Sequence, residues 1–307
     1  MQIGTGGFGF QWHVTGRCAG RCAHCYQSDA NGAVELPLDA LKRVADEIMG
    51  AVPGPVTVNV TGGEPLMYRG GGSDRAVFEL MAYLSRFNNL GELNVITSAS
   101  GMDRRAIRDL KALPKLSYVK VSLESRDPAV NDGIRWPGHH AMALENMHEL
   151  RAAGLRVIVM TTLSQRNYKS AAALCALAKE MKLRGVIFER FVPLGRGAAQ
   201  MRDSTVSPAQ WRETLGAIAD VAGVAPAELL PYKAFWVNGR TVKCAACCLG
   251  PESMALMPDG VVYPCRRVPT PVGKLPDDGM ERILAALGAY ASTPERCFDF
   301  KCAQTPS

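Results

Sequence analysis

Cys18, Cys22 and Cys25 stand three and then two residues apart in TGRCAGRCAHCY, residues 15–26. On one short, glycine-bearing loop three thiolates can face a common point, which a straight helix or strand could not arrange. Soft thiolates select zinc or iron–sulfur clusters. A closed structural zinc site takes four ligands, and no fourth cysteine lies just downstream. His24 is the nearest candidate, but it sits between two of the ligands and would have to double back. Three ligands suggest a cubane [4Fe–4S] cluster with one iron left for something other than protein. A zinc knuckle or a group of ordinary thiols is the alternative.

A second group comprises Cys244, Cys247 and Cys248 in CAACC, with Cys265, Cys297 and Cys302 beyond it. Asp259–Gly260, between MALM and VVYP, is a good hairpin turn and would bring Cys248 and Cys265 together. Cys297 and Cys302 can fold back as remaining ligands. Adjacent Cys247 and Cys248 are not expected on one metal, so Cys247 is left out. Cys244, Cys297 and Cys302 then compete for two places beside Cys248 and Cys265. A four-thiolate zinc site is the alternative. Cys175, alone in AAALCALA, reads as a small buried hydrophobe of a helix.

The elements that must position these residues alternate regularly. Strands are expected at 8–14, 56–60, 92–98, 116–124, 155–163 and 185–195, and helices at 38–50, 74–87, 103–113, 140–154 and 167–182. In the first helix Leu38, Leu41, Val44, Ala45 and Ile48 repeat at helical spacing. Such alternation, with near-continuously apolar strands, implies a parallel sheet covered by helices. Right-handed crossovers would curve it into an open, partial (β/α)6 TIM-like barrel. Ligands of such folds gather at the C-terminal strand ends, where the cysteine loop, Thr61–Pro65, Thr97–Ser98, Ser122–Glu124 and Thr162 all fall. A helix is expected at 207–223; after about 224 proline, glycine and cysteine rise. The expected division is a barrel over 1–206 and a small cysteine-rich domain over 207–307.

The C-x3-C-x2-C spacing, the apolar run FGFQWHV before it and Tyr26 after it resemble the radical S-adenosylmethionine superfamily. Thr61-Gly62-Gly63-Glu64-Pro65, one strand–helix unit later, is similar to the motif with which that family holds the cofactor's amino group. A lone GG pair would read only as a turn. The resemblance implies that the amino and carboxylate groups of S-adenosylmethionine chelate the open iron. It implies further that Ser122 and Glu124 touch the ribose or methionyl group. Arg135 is then the expected partner of the cofactor carboxylate, since a guanidinium pairs in bidentate fashion; a solvated surface arginine is the alternative. Phe191–Pro193 would shelve the adenine. In that family a reduced cluster passes one electron to the sulfonium, and the resulting 5′-deoxyadenosyl radical abstracts hydrogen from a substrate.

The stretch from Cys248 to Cys265 resembles the opening of the domain called SPASM in full form and twitch in short form, which holds auxiliary clusters. Two further fully ligated clusters would need eight thiolates and six lie beyond residue 240, so one auxiliary [4Fe–4S] cluster is expected. The resemblance implies a maturase acting on a ribosomal peptide or a protein side chain, with a small-molecule radical dehydrogenase as the alternative. A cluster-bearing electron carrier is disfavoured, because the GGE turn would have no reason to sit beside the open iron. A flavodoxin or ferredoxin-type reductant is implied. The barrel begins near residue 8, so a module gripping a leader peptide is expected to be a separate protein, or else the barrel itself holds the substrate.

Composition excludes other classes. The 307 residues are 47% hydrophobic and 21% charged, as in an ordinary globular protein. The net charge of +6 is mild and its basic residues are scattered, so no nucleic acid is expected. No run approaches the roughly 18 apolar residues of a membrane span, and residues 1–14 lack the basic flank of a secretory leader. Ten cysteines, nine of them in two groups, suit metal sites in a reducing cytoplasm.

Overall fold

Strand β1 (Phe8–His13) sets the pattern of the sheet. Phe8, Phe10 and Trp12 point outward into the helix layer and are buried, whereas Gly9 and Gln11 point into the barrel. The computed structural model describes residues 7–27, 35–268 and 270–290. The strand–helix alternation continues through α1 (Leu38–Ala51), β2 (Val56–Thr61), α2 (Ala76–Leu84), β3 (Leu90–Thr97), α3 (Arg104–Ala112) and β4 (Leu116–Ser122). It then runs through α4 (Pro128–Ile134), α5 (His139–Ala152), β5 (Val157–Leu163), α6 (Ala171–Glu180) and β6 (Val186–Arg190). β1 to β6 pair in chain order and all in parallel, the core of a partial barrel. In α1 the expected stripe of Leu38, Leu41, Val44, Ala45 and Ile48 is the buried face.

Two boundaries differ from expectation for local reasons. β5 starts at Val157, not 155, because Gly154 takes a left-handed φ of 87° and ends the preceding helix with a turn. β6 stops at Arg190; Phe191 N still donates to Leu163 O at 2.8 Å, the chain then turns with Leu194 N donating to Val192 O, and Gly195 begins α7 (Gly195–Gln200). α4 was not expected. It is short and set by Pro128 at its first turn and by Asp127, whose carboxylate accepts from Ala129 N at 2.8 Å. No apolar repeat marks it.

Beyond the barrel come α8 (Pro208–Ala222), α9 (Pro226–Leu229), β7 (Ala234–Asn238), β8 (Thr241–Ala245), β9 (Ser253–Leu256), β10 (Val261–Tyr263), β11 (Gly273–Lys274) and α10 (Met280–Gly288). α8 carries a capping box between Ser207 and Gln210 and ends at left-handed Gly223. The strands that follow join the barrel's own sheet at both edges. β7 pairs antiparallel with β6 and β8 with β7. β9 pairs in parallel with β1, Gly9 opposite Ser253 and Trp12 opposite Leu256, and β10 returns from it through the expected Pro258–Gly260 turn. One eleven-stranded sheet results, in the order β11-β10-β9-β1-β2-β3-β4-β5-β6-β7-β8. The two hairpin edges bring Cys247, Cys248 and Cys265 to one cavity. No helix among the described residues is long and apolar enough to cross a membrane.

Candidate active site

The cysteine loop follows β1 and is tied down from three sides by backbone bonds. Gly63 N donates to Thr15 O and Glu64 N to Arg17 O, each at 2.7 Å. Ala23 N donates to Ile134 O at the end of α4, and Gly197 N of α7 to Cys25 O, each at 2.8 Å. The two glycines of the GGE turn exist for this packing. A Cβ on Gly62 would lie 2.5 Å from Thr15 O, and one on Gly63 would lie 2.4 Å from Arg17 O.

Cys18, Cys22 and Cys25 line one cavity with Gly62, Gly63, Ser98, Ser122, Thr162, Arg135 and Phe191. Burial pushes the Cys18 thiol up to about 11, and pushes Cys22 up against the opposing pull of Arg135. His24 is not turned to this donor set. Its Nε2 lies 3.4 Å from Glu124 Oε1, and burial drops its pKa to about 4, so the ring is neutral. Among the described residues no three His, Cys, Asp or Glu side chains close round a single ion position. The thiolates of a cubane sit on different irons, so the three need not do so. Three soft donors, no fourth beside them among the described residues, and a cavity above them that Ser98, Ser122 and Arg135 help to line fit a cluster with one open iron.

Glu64 is wholly buried and does not line the cavity. Thr97 Oγ1 donates to its Oε1 at 2.6 Å, while Ser98 N at 2.8 Å and Ser98 Oγ donate to Oε2. Burial pushes its carboxyl up and these donors pull it back. Glu64 therefore staples the turn to the end of β3, and Gly62 and Gly63 present the turn's backbone to the cavity.

Ser122 lines the cavity, whereas Glu124 lies behind it. Arg135 Nε donates to Glu124 Oε1 at 2.9 Å, as does Nη2, and Thr162 N donates to Oε2 at 2.8 Å. Burial alone would push the Glu124 carboxyl up, but the Arg135 guanidinium and the Thr162 N–H outweigh it and hold it low. Glu124 thereby fixes Arg135, whose Nη1 points at Cys22 Sγ from 3.5 Å. A guanidinium held this way, facing the cysteines, fits a carboxylate ligand. Phe191 and Val192 complete an apolar side.

The second cysteine group meets a different cavity. Cys247, Cys248 and Cys265 line it together, and Lys233 Nζ donates to Cys248 Sγ at 3.2 Å. Cys244 does not line it; opposite Phe235 on β8, it is buried in the core. Cys297 and Cys302 lie outside the described residues. Cys175 packs partly buried against the core, as expected.

Several residues of the second cavity were not singled out from sequence, Glu189, Lys120 and Asn59 among them, and Cys247, left out there, lines it too. Lys120 did carry a signal, being the lone charge of an otherwise uncharged strand, LSYVKVS.

Comparison with known proteins bears on this geometry. Residues 12–178 match the family model described as the radical SAM superfamily. Over 195 residues the chain is 29% identical to Fe-coproporphyrin III synthase of Methanosarcina barkeri, covering 62% of this chain and 46% of that protein. Over 306 residues it is 23% identical to the antilisterial bacteriocin subtilosin biosynthesis protein AlbA of Bacillus subtilis, covering 95% and 64%. The chain thus spans less than two thirds of the length of these relatives. Native anSMEcpe with bound AdoMet and the Cp18Cys peptide shares the fold, with a TM-score of 0.69 at 14% identity, covering 90% of this chain and 79% of that one.

Proposed function

The chain belongs to the radical SAM superfamily, and from that premise we propose that it is a maturase that modifies a ribosomal peptide or a protein side chain by hydrogen abstraction. One observation carries the reading: the three loop cysteines, the GGE turn backbone and Arg135 meet at a single cavity within the matched region. When bound, the reduced cluster and S-adenosylmethionine supply the abstracting 5′-deoxyadenosyl radical. Cys18, Cys22 and Cys25 hold the cluster. The backbone of Gly62 and Gly63, positioned by Glu64, takes the cofactor's amino group. Arg135, positioned by Glu124, takes its carboxylate, and Ser122 and Phe191 face the rest. The protein otherwise orients the reactants and excludes water.

Cys247, Cys248 and Cys265 hold one auxiliary cluster of the SPASM or twitch type, with Cys297 or Cys302 as a further ligand. A flavodoxin or ferredoxin-type protein supplies electrons, and a separate leader-binding protein presents the peptide. The names of AlbA and of the peptide-bound anSMEcpe structure support a peptide substrate. The similarity to Fe-coproporphyrin III synthase favours the second reading, a small-molecule substrate. The test is anaerobic incubation with S-adenosylmethionine, reductant and the short peptides encoded beside the gene, read by mass spectrometry. A peptide that loses hydrogen mass is expected. Unchanged peptides together with turnover of a small acid or porphyrin would favour the second reading.

A further inference from the structure

The cofactor cavity adjoins the second one, of about 340 Å³, and Gln11, Ile96, Met160, Arg266 and Arg267 line both. On β4, Lys120 faces inward between the outward, buried Val119 and Val121, and it lines the second cavity. Its Nζ donates to Asn59 Oδ1 at 2.6 Å, a neutral acceptor. Arg266 Nη1 donates to Gln11 Oε1 at 3.4 Å. Gln11 and Asn59 are register neighbours on β1 and β2, so two cations stand at the ends of one pair of amides.

Among the described residues, Arg266 and Arg267 share one carboxylate, Glu189. Arg267 also sits beside Cys265. Burial pulls Lys120 down to about 8, opposed only in part by Glu92. Cations taken from water with incomplete compensation cost free energy, which an incoming anion with good hydrogen-bond geometry recovers. The cysteines of the auxiliary cluster meet other cations of the same cavity, Lys233 at Cys248 and Arg267 at Cys265.

We propose that Lys120 and Arg266 anchor a carboxylate of the substrate in the second cavity. The proposal rests on the radical reading only in assigning the adjoining cavity to the cofactor. A group anchored there lies next to the shared wall, so a neighbouring C–H of the same molecule is presented to the cofactor side. A carboxylate is singled out over a neutral amide because both anchors are donors only and charged.

The test is equilibrium binding to the anaerobically reconstituted, S-adenosylmethionine-loaded protein, by titration calorimetry. The probes are N-acetyl-glutamate α-amide, its neutral glutamine counterpart, and glutarate. The wild type is expected to bind a carboxylate probe about tenfold or more tightly than the glutamine probe, as charged hydrogen bonds warrant. Lys120→Met and Arg266→Met should each abolish that preference, and Lys120→Arg should retain it. Preference for the capped glutamate points to an acidic side chain of a peptide; preference for glutarate points to a small acid. Equal or absent binding of the probes by the wild type, or a preference that survives both Met variants, overturns the anchor. Release of 5′-deoxyadenosine by the same preparation reads the radical chemistry separately. Release without carboxylate preference defeats the anchor alone; preference without release defeats the radical reading alone.

Discussion

The guanidinium of Arg266 lies over the ring of Tyr26, 5.3 Å from its centroid. These residues immediately follow Cys265 and Cys25, so the contact joins the two cysteine loops directly. The Tyr26 hydroxyl also lies 3.2 Å from His13 Nε2, and His13 Nδ1 is 2.9 Å from Gln27 Nε2. Burial pushes the Tyr26 phenol up to about 12 and His13 down to about 3, so both are neutral in the folded protein.

Tyr26→Phe and Tyr26→Leu separate the two contributions of that residue. The Phe variant keeps the ring beneath Arg266 and should lose about 1 kcal/mol with the hydroxyl's bonds. The Leu variant loses the cation–π contact as well, about 0.5–2 kcal/mol more. Denaturant unfolding measures both, and equal losses would show that the stacked guanidinium contributes nothing.

Gly63→Ala should cost the first cluster while leaving the second. The three atoms nearest a Cβ there are all backbone, of Gly16 and Arg17, and backbone cannot swing aside as a side chain can. The cysteine loop must shift, so iron should fall from about eight to about four per chain if cubanes occupy both sites. Gly50→Ala, where no atom lies within 4 Å, is the control and should keep all iron.

The buried histidines make the fold acid-sensitive. Burial, reinforced by Arg266 for His13 and by Arg135 for His139, pulls each to about 3. The unfolded chain takes up these protons near pH 6.5, so between about pH 6.5 and 3 the unfolded state holds more protons. Stability is then full above pH 6.5 and falls with decreasing pH, by up to about 1.4 kcal/mol per pH unit for each histidine. Unfolding free energies at pH 7, 6 and 5 check the slope. His139→Gln should flatten it by about one histidine's share; an unchanged slope would contradict the assignment.

The second cysteine group separates by position. Cys265→Ala and Cys247→Ala should each lose the auxiliary iron, since both side chains line the second cavity. Cys244→Ala, in the core opposite Phe235, should keep that iron and lose only packing, about 1 kcal/mol. Auxiliary iron lost in the Cys244 variant and kept in the Cys247 variant would reverse this reading.

What was legible from sequence was local. The α1 stripe, the Pro258–Gly260 turn and the three-cysteine spacing each lie within a dozen or so neighbouring residues, where periodicity and turn chemistry act. The pairing of β9 with β1 joins Ser253 to Gly9, and no local pattern encodes so distant a partner. That Cys244 lies in the core and Cys247 at the second cavity was illegible for a related reason. Without the β7–β8 hairpin the inward and outward faces of residues 241–245 cannot be assigned, and a strand's side chains alternate. Glu64 was found as a motif, but its direction depends on Thr97 and Ser98 of the next strand. Arg135 was legible as a cation in the right loop; that Glu124 aims it was not.

The central claim is that the loop cysteines and the cavity above them cleave S-adenosylmethionine reductively. The direct measurement is chromatographic quantitation of 5′-deoxyadenosine and methionine after anaerobic reduction of the reconstituted protein, wild type beside Cys22→Ala. Equal amounts of both products from the wild type and none above background from the variant are predicted. Cleavage that persists in Cys22→Ala, or is absent from a wild type carrying its full iron, would contradict the account.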